Sequence, residues 1–186
     1  IAKSNVEITL DLSETQGLVA ISPASRYTSV FKDCKKLVSV VFPSSLTTIG
    51  SYAFYNCDGL RSITIPKTVK TIGTDAFYSC DALESVEIIG TETIGDSAFN
   101  SCKNLRNVYL KDVSTIGISA FRNCQSLQNV YLENIKTVGD YSFGSSSNGD
   151  YSENNKCLDT VTLKNITTIG RYAFGYAINL NLIKVE

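Results

Sequence analysis

The stretch Ile49-Gly50-Ser51-Tyr52-Ala53-Phe54-Tyr55-Asn56-Cys57-Asp58-Gly59-Leu60-Arg61-Ser62-Ile63-Thr64-Ile65 decides the fold, because it recurs. The phrase it spells, I-G-x-x-A-F-x-x-C-x-x-L-x-x-I-x-I, returns at a near-constant interval over most of the chain. At the phenylalanine the copies fall on Phe31, Phe54, Phe77, Phe99, Phe121, Phe143 and Phe174, with gaps of 23, 23, 22, 22, 22 and 31. The last gap is one repeat carrying nine extra residues. A fixed period of about 20–30 residues belongs to stacked coils, each touching only its neighbours.

One coil shows how the stack would close. Leu60, Ile63 and Ile65 follow L-x-x-I-x-I, and Thr64 separates the last two, as in a short strand with one buried face. Every copy supplies the same strand, so stacking predicts a parallel sheet with neighbours about 4.8 Å apart. Pro43 and Pro66 follow two of the strands, where a missing N–H ends pairing. The chain then crosses over with Val69 and Ile72 pointing inward. Gly73 suits a sharp turn or a positive φ, and it recurs as Gly50, Gly95, Gly117, Gly139 and Gly170. Ala76-Phe77-x-x-Cys80 then predicts one short helical or 3₁₀ turn on the convex side, with Phe and Cys sharing its inward face. The alanine is small enough to let this segment pack close. One coil cannot bury these groups alone, but stacked coils can, and each fully buried Leu, Ile or Phe contributes roughly 1.5–3 kcal/mol.

Composition narrows the function. The chain has 186 residues, 17 basic against 18 acidic, and a formal charge of −1. Without a basic run, nucleic-acid binding is not expected. No apolar stretch approaches the roughly 18 residues that cross a bilayer. Histidine is absent, which excludes a Ser-His-Asp triad, a Cys-His pair and imidazole-dependent zinc sites. No acid, base and nucleophile converge in the pattern, so neither an enzyme nor a cofactor is expected. The chain begins at Ile1, and Ile183 and Val185 occupy strand positions at its other end. An uncapped strand is a sticky edge, so a longer natural protein or a partner at that end is expected.

The repeated phrase, with its A-F-x-x-C and its I-x-I-P strand end, resembles the BspA-type leucine-rich repeat. The likeness covers about residues 26–186, and five turns match closely: Ser45 to Cys57, then those ending at Cys80, Cys102, Cys124 and Phe143. The resemblance implies an α/β fold, a right-handed leucine-rich-repeat solenoid with a parallel sheet on its concave side. It also implies secretion or surface display, outside the cell, and adhesion to a host or partner-cell protein or glycan.

Three departures stand out. Residues 1–25 fit no repeat, and their alternating Val6, Ile8, Leu10 and Leu12 predict an N-terminal capping strand. Arg26 replaces the isoleucine expected in the first repeat, as in terminal repeats that face water. Residues 144–157 hold a polar insertion, for which a loop and a calcium site are the alternatives. Asn148, Asp150, Ser152, Glu153 and Asn154 could supply oxygen, but the spacing of the calcium-binding loop D-x-[DN]-x-[DN]-G is absent.

Cys34, Cys57, Cys80, Cys102 and Cys124 share one repeat position. Disulfides, a metal site, a reactive thiol or a buried ladder could explain them. Parallel side chains oppose bridging, and free cysteine is among the most buried residue types. Ala177 takes this position in the last repeat, which suits space filling. Cys157 is out of register (the ladder position falls on Asn155) and is expected to be more exposed.

Strand residues that alternate with the buried ones face the concave surface. Between the two buried aliphatics run Val41, Thr64, Glu87, Tyr109, Tyr131, Thr162 and Lys184. Just after the leucine come Val38, Arg61, Glu84, Arg106, Gln128, Asp159 and Asn181, and after the strand Pro43, Pro66, Ile89, Lys111, Glu133, Lys164 and Glu186. The candidate binding patch is Arg61, Glu87, Arg106, Tyr109, Lys111, Gln128, Tyr131 and Glu133, centred on the paired tyrosines. Tyrosine and arginine often anchor interfaces. Tyrosine and threonine are also ordinary residues of an exposed sheet, where aromatic pairs stabilise it. Two functions therefore stay open: a concave-face binding module, and a spacer solenoid that displays another domain.

Overall fold

The computed structural model describes residues 6–22, 28–144, 157–175, 177 and 179–186. Among them the repeat becomes a right-handed solenoid of parallel strands. The concave face is built from β1 (Ile8–Asp11), β3 (Leu37–Val41), β5 (Ser62–Ile63), β7 (Ser85–Ile89), β9 (Asn107–Lys111), β11 (Asn129–Glu133), β13 (Thr160–Lys164) and β15 (Leu182–Val185). A second ladder of two-residue strands runs along another side. Its members are β2 (Ala20–Ile21), β4 (Thr48–Ile49), β6 (Thr71–Ile72), β8 (Thr93–Ile94), β10 (Thr115–Ile116), β12 (Thr137–Val138) and β14 (Thr168–Ile169).

The second ladder is one continuous seven-stranded sheet, but the concave face is not continuous. It divides into β1-β3-β5 and β7-β9-β11-β13-β15. The division falls where the repeat becomes shorter by a single residue. In the shorter coils the strand ends on a left-handed corner residue, Gly90, Asp112, Asn134 or Asn165. Its N–H continues the ladder, as from Gly90 to Lys111 O at 3.0 Å and from Asp112 to Glu133 O at 2.9 Å. The longer coils carry Pro43 and Pro66 after the strand, with no N–H to give. Pairing stops even before Pro66, at Ile63.

The N-terminal segment behaves as an incomplete coil. β1 pairs with β3 and β2 with β4, so it extends both ladders, and Leu10 and Leu12 pack against the core. Arg26, Asn155 and insertion residues 145–156 lie outside the described residues.

The convex side corrects one expectation. No helix forms among the described residues; a run of tight turns takes its place. The cause is how the backbone N–H groups are shared. Ala76 N–H bonds back to Gly73 O at 3.3 Å and Tyr78 N–H to Asp75 O at 3.2 Å. Between and after them, Phe77 N–H reaches Ala98 O of the next coil at 2.7 Å and Ser79 N–H reaches Asn100 O at 2.9 Å. A helix would keep such bonds to itself. The alternation needs left-handed residues, and Asp75 (φ 54°) and Ser79 (φ 52°) supply them, as Ser97, Ser101, Ser119 and Asn123 do in later coils.

The repeated glycines also differ from a conformational reading. Gly73, Gly95, Gly117, Gly139 and Gly170 have no positive φ; among the described glycines only Gly17 and Gly90 do. They are required by proximity. A Cβ on Gly95 would lie 2.7 Å from Gly73 C and Thr74 N, and one on Gly139 2.6 Å from Gly117 C.

Inside, Phe54, Phe77, Phe99, Phe121 and Phe143 are fully buried. With Phe31 and Phe174 they form one stack with centroid spacings of 5.0 to 5.2 Å. Beside it the cysteines form a ladder of free thiols. Four of these thiols donate to the phenylalanine carbonyl of the preceding coil: Cys57 to Phe31 at 2.9 Å, Cys80 to Phe54 at 3.3 Å, Cys102 to Phe77 at 3.2 Å and Cys124 to Phe99 at 3.4 Å. Burial pushes Cys57 and Cys102 up to about 12 and Cys80 and Cys124 well above the ordinary thiol value. Such thiols stay protonated and act as packing and hydrogen-bond donors, whereas Cys157 is exposed.

Candidate functional site

The strand period of two puts Asn107, Tyr109 and Lys111 of β9 on the open face, while Val108 and Leu110 are buried. β11 repeats this with Asn129, Tyr131 and Glu133 outward and Val130 and Leu132 buried. In-register pairing sets Tyr131 opposite Tyr109 and Glu133 opposite Lys111. The tyrosine rings stack at 4.8 Å and 3°.

One end of this pair is tied into a network. The Tyr131 hydroxyl donates to Glu133 Oε2 at 3.0 Å, Lys111 Nζ donates to Oε1 at 3.1 Å, and Lys164 Nζ stands 3.8 Å from Oε1. The Glu133 side chain is only 12% exposed, whereas its lysine partners are 35% and 39% exposed. Hydrogen bonds from Lys111 and then Tyr131 hold its carboxyl below the usual glutamate range. The bond to Glu133 raises both Lys111 and the Tyr131 hydroxyl. Tyr109, by contrast, has no hydroxyl partner among the described residues.

The remaining candidates are placed differently. Glu87 pairs in register with Tyr109 and is exposed. Arg106 and Gln128 sit one residue before their strands, exposed and linked only through the backbone, Gln128 N–H to Arg106 O at 2.8 Å. Among the described residues their side chains share no hydrogen bond or ion pair with the tyrosines. Arg61 is diverted to the N-terminal coil, where two guanidinium nitrogens hold Glu7 at 2.7 and 3.1 Å.

The residues that the sequence patterns passed over are Asn107 and Asn129. Their amides bond across the strands at 2.8 Å, on the face the tyrosines occupy. Counting back by two from Tyr109 and Tyr131 would have found them. Past the far ends of these strands a similar ladder runs along the corners, Asn134 to Asp112 at 2.6 Å and Asn165 to Asn134 at 2.9 Å.

Next to Glu87 the division of the sheet opens a groove of about 450 Å³, floored by Ile63, Ile65, Pro66 and Ile89, with Lys67 and Glu87 among its lining. No hydrogen bond among the described residues reaches the main-chain groups of Thr64 or Ile65.

Comparison with known proteins agrees with this architecture. A family model for the BspA type leucine rich repeat region matches residues 25–150 and 149–186 in six copies. The crystal structure of a leucine rich repeat protein from T. pallidum superposes with a TM-score of 0.75 at 29% identity, over 94% of this chain and 78% of that one. A leucine-rich repeat protein from Bacteroides ovatus matches with a TM-score of 0.46 at 22% identity, covering 90% of this chain and 64% of its own. A leucine rich cell surface protein from Faecalibacterium prausnitzii matches with a TM-score of 0.42 at 23% identity, over 96% and 59%. No curated protein matches in sequence.

Proposed function

Because the chain belongs to the BspA-type leucine-rich repeat family, we propose that it is a protein-binding module, secreted or displayed on a cell surface, whose concave sheet grips a host or partner-cell protein. The observation that carries this is the stacked Tyr109–Tyr131 pair at the middle of the longer concave sheet. Two large amphipathic rings are already ordered there by register and by the Glu133 network, so little side-chain entropy is lost when a partner covers them. No chemical step is part of this function.

The test is saturable binding of the purified chain to immobilised matrix or cell-surface proteins. Tyr109→Ala with Tyr131→Ala should weaken it at least about tenfold, a loss of roughly 1.4 kcal/mol, with the melting transition retained. Full binding by the double variant would remove the patch from the interface. The internal satisfaction of Glu133, Lys111 and Tyr131 also suits a solenoid that only holds another domain away from a surface. An inert fragment, with binding confined to an attached domain, would favour that spacer.

A further inference from the structure

The two faces of the tyrosine stack are not equivalent, and the difference points to the chemistry of the partner. Tyr131 covers one face of Tyr109, and the other looks toward the adjacent strand, where Glu87 stands in register. Adjacent strands lie about 4.8 Å apart, so the Glu87 side chain flanks that second ring face. Among the described residues Glu87 has no ion pair or hydrogen bond for its side chain. Glu84 of the same coil is likewise exposed and without an ion pair. The Tyr131 end, in contrast, has its carboxylate satisfied by Lys111 and by the tyrosine itself.

The groove at the sheet division begins at the same residue. Its apolar floor of Ile63, Ile65, Pro66 and Ile89 lies beside Glu87. Thr64 and Ile65 have main-chain donors and acceptors without partners among the described residues. Unpaired backbone groups at a strand edge beside apolar pockets match an extended peptide, which brings complementary main-chain groups and side chains at fixed intervals.

We infer that this groove takes an extended segment of a partner protein in which an arginine or lysine adjoins an aliphatic residue. The cationic head pairs with Glu87 and lies beside the Tyr109 ring that Glu87 flanks, and the aliphatic side chain enters the floor between Ile65 and Ile89. A cation over a tyrosine face gains from the ring quadrupole, and the neighbouring carboxylate adds to that gain. Lys67 at the groove makes an acidic segment a second conceivable occupant, but Glu87 and Glu84 oppose it. This inference rests on the concave face being a protein-binding surface, and it adds which part of that face selects the partner.

The probe is a phage-displayed library of random dodecapeptides, selected on the immobilised chain. Enriched sequences are then titrated as synthetic peptides into the isotope-labelled protein. The expected result is enrichment of Arg or Lys beside Leu, Ile or Val, with shifts centred on residues 63–67, 85–89 and Tyr109. Glu87→Gln should weaken the best peptide about tenfold. Glu92→Gln, which removes the same charge from an exposed site just before β8, should leave affinity unchanged. Enrichment of acidic peptides, no enrichment at all, or an affinity indifferent to Glu87→Gln would overturn the inference. If peptides bind at Tyr131 regardless of Glu87, the concave-face function survives and only this assignment falls. If no peptide enriches and immobilised proteins also fail to bind, both fall.

Discussion

Replacing Gly95 by alanine tests whether the repeated glycines serve proximity or backbone conformation. The added Cβ would sit 2.7 Å from Gly73 C and Thr74 N and 3.0 Å from Ile72 O. That is roughly 0.8 Å inside the ~3.5 Å at which carbon contacts become favourable. All three neighbours are backbone atoms, locked by Gly95 N–H to Ile72 O at 2.8 Å and by the paired strands β6 and β8. No side chain can swing away, so the cost should fall at the upper end of overpacking penalties, about 3 kcal/mol. In a domain of this size that lowers Tm by roughly 6–12 °C, read by circular dichroism on heating. Gly90→Ala is the control. Gly90 has a φ of +77° and nothing within 4 Å of a Cβ, so its cost is conformational, about 1–2 kcal/mol. Asparagine should recover most of that loss at position 90, because Asp112 and Asn134 hold φ 55° at equivalent corners. At position 95 asparagine should be worse than alanine. An unchanged Tm for Gly95→Ala, or rescue by Gly95→Asn, would refute the steric account.

Three further outcomes are expected. Phe99→Ala removes a fully buried ring stacked at 5.0 Å on both Phe77 and Phe121, and should cost about 3–5 kcal/mol in urea unfolding; an unaltered midpoint would show that the column is not core. Glu133 is held below the usual glutamate range, so its contribution is present at neutral pH and is lost as pH falls through its folded-state value. Glu133→Gln should therefore flatten the acid side of the stability–pH curve, and an unchanged slope would count against the network. With a thiol reagent at pH 8, Cys157 should react at once and the partly buried Cys34 slowly. Cys57, Cys80, Cys102 and Cys124 should react only on unfolding, and rapid modification of all six would break the ladder assignment.

The buried side of the fold was legible because it depends on spacing alone. A single repeat step carries Tyr109 onto Tyr131 and Phe99 onto Phe121, and register follows without knowledge of the backbone. The convex turns were not legible, since the left-handed conformations at Asp75 and Ser79 go with N–H bonds to the next coil, which spacing within one coil does not show. Pro66 marked the end of pairing, but the β3–β5 ladder already stops at Ile63, before the strand's last isoleucine, Ile65. Arg61 stands in the column just after the leucine, and its guanidinium turns to Glu7 of the N-terminal segment, a pairing that the column's spacing alone does not specify.

The phenylalanine stack has a consequence for engineering. Phe143 and Phe174 stack at 5.2 Å and 7°, although the chain between them is nine residues longer than that between Phe121 and Phe143. β11 and β13, on either side of the added sequence, still pair residue for residue from Asn129–Thr160 to Glu133–Lys164. Extra chain entering between Phe143 and Leu158 therefore leaves the phenylalanine stack and the concave pairing in register. The stretch is a natural graft port: a foreign sequence of similar length can replace it with the display surface left in register.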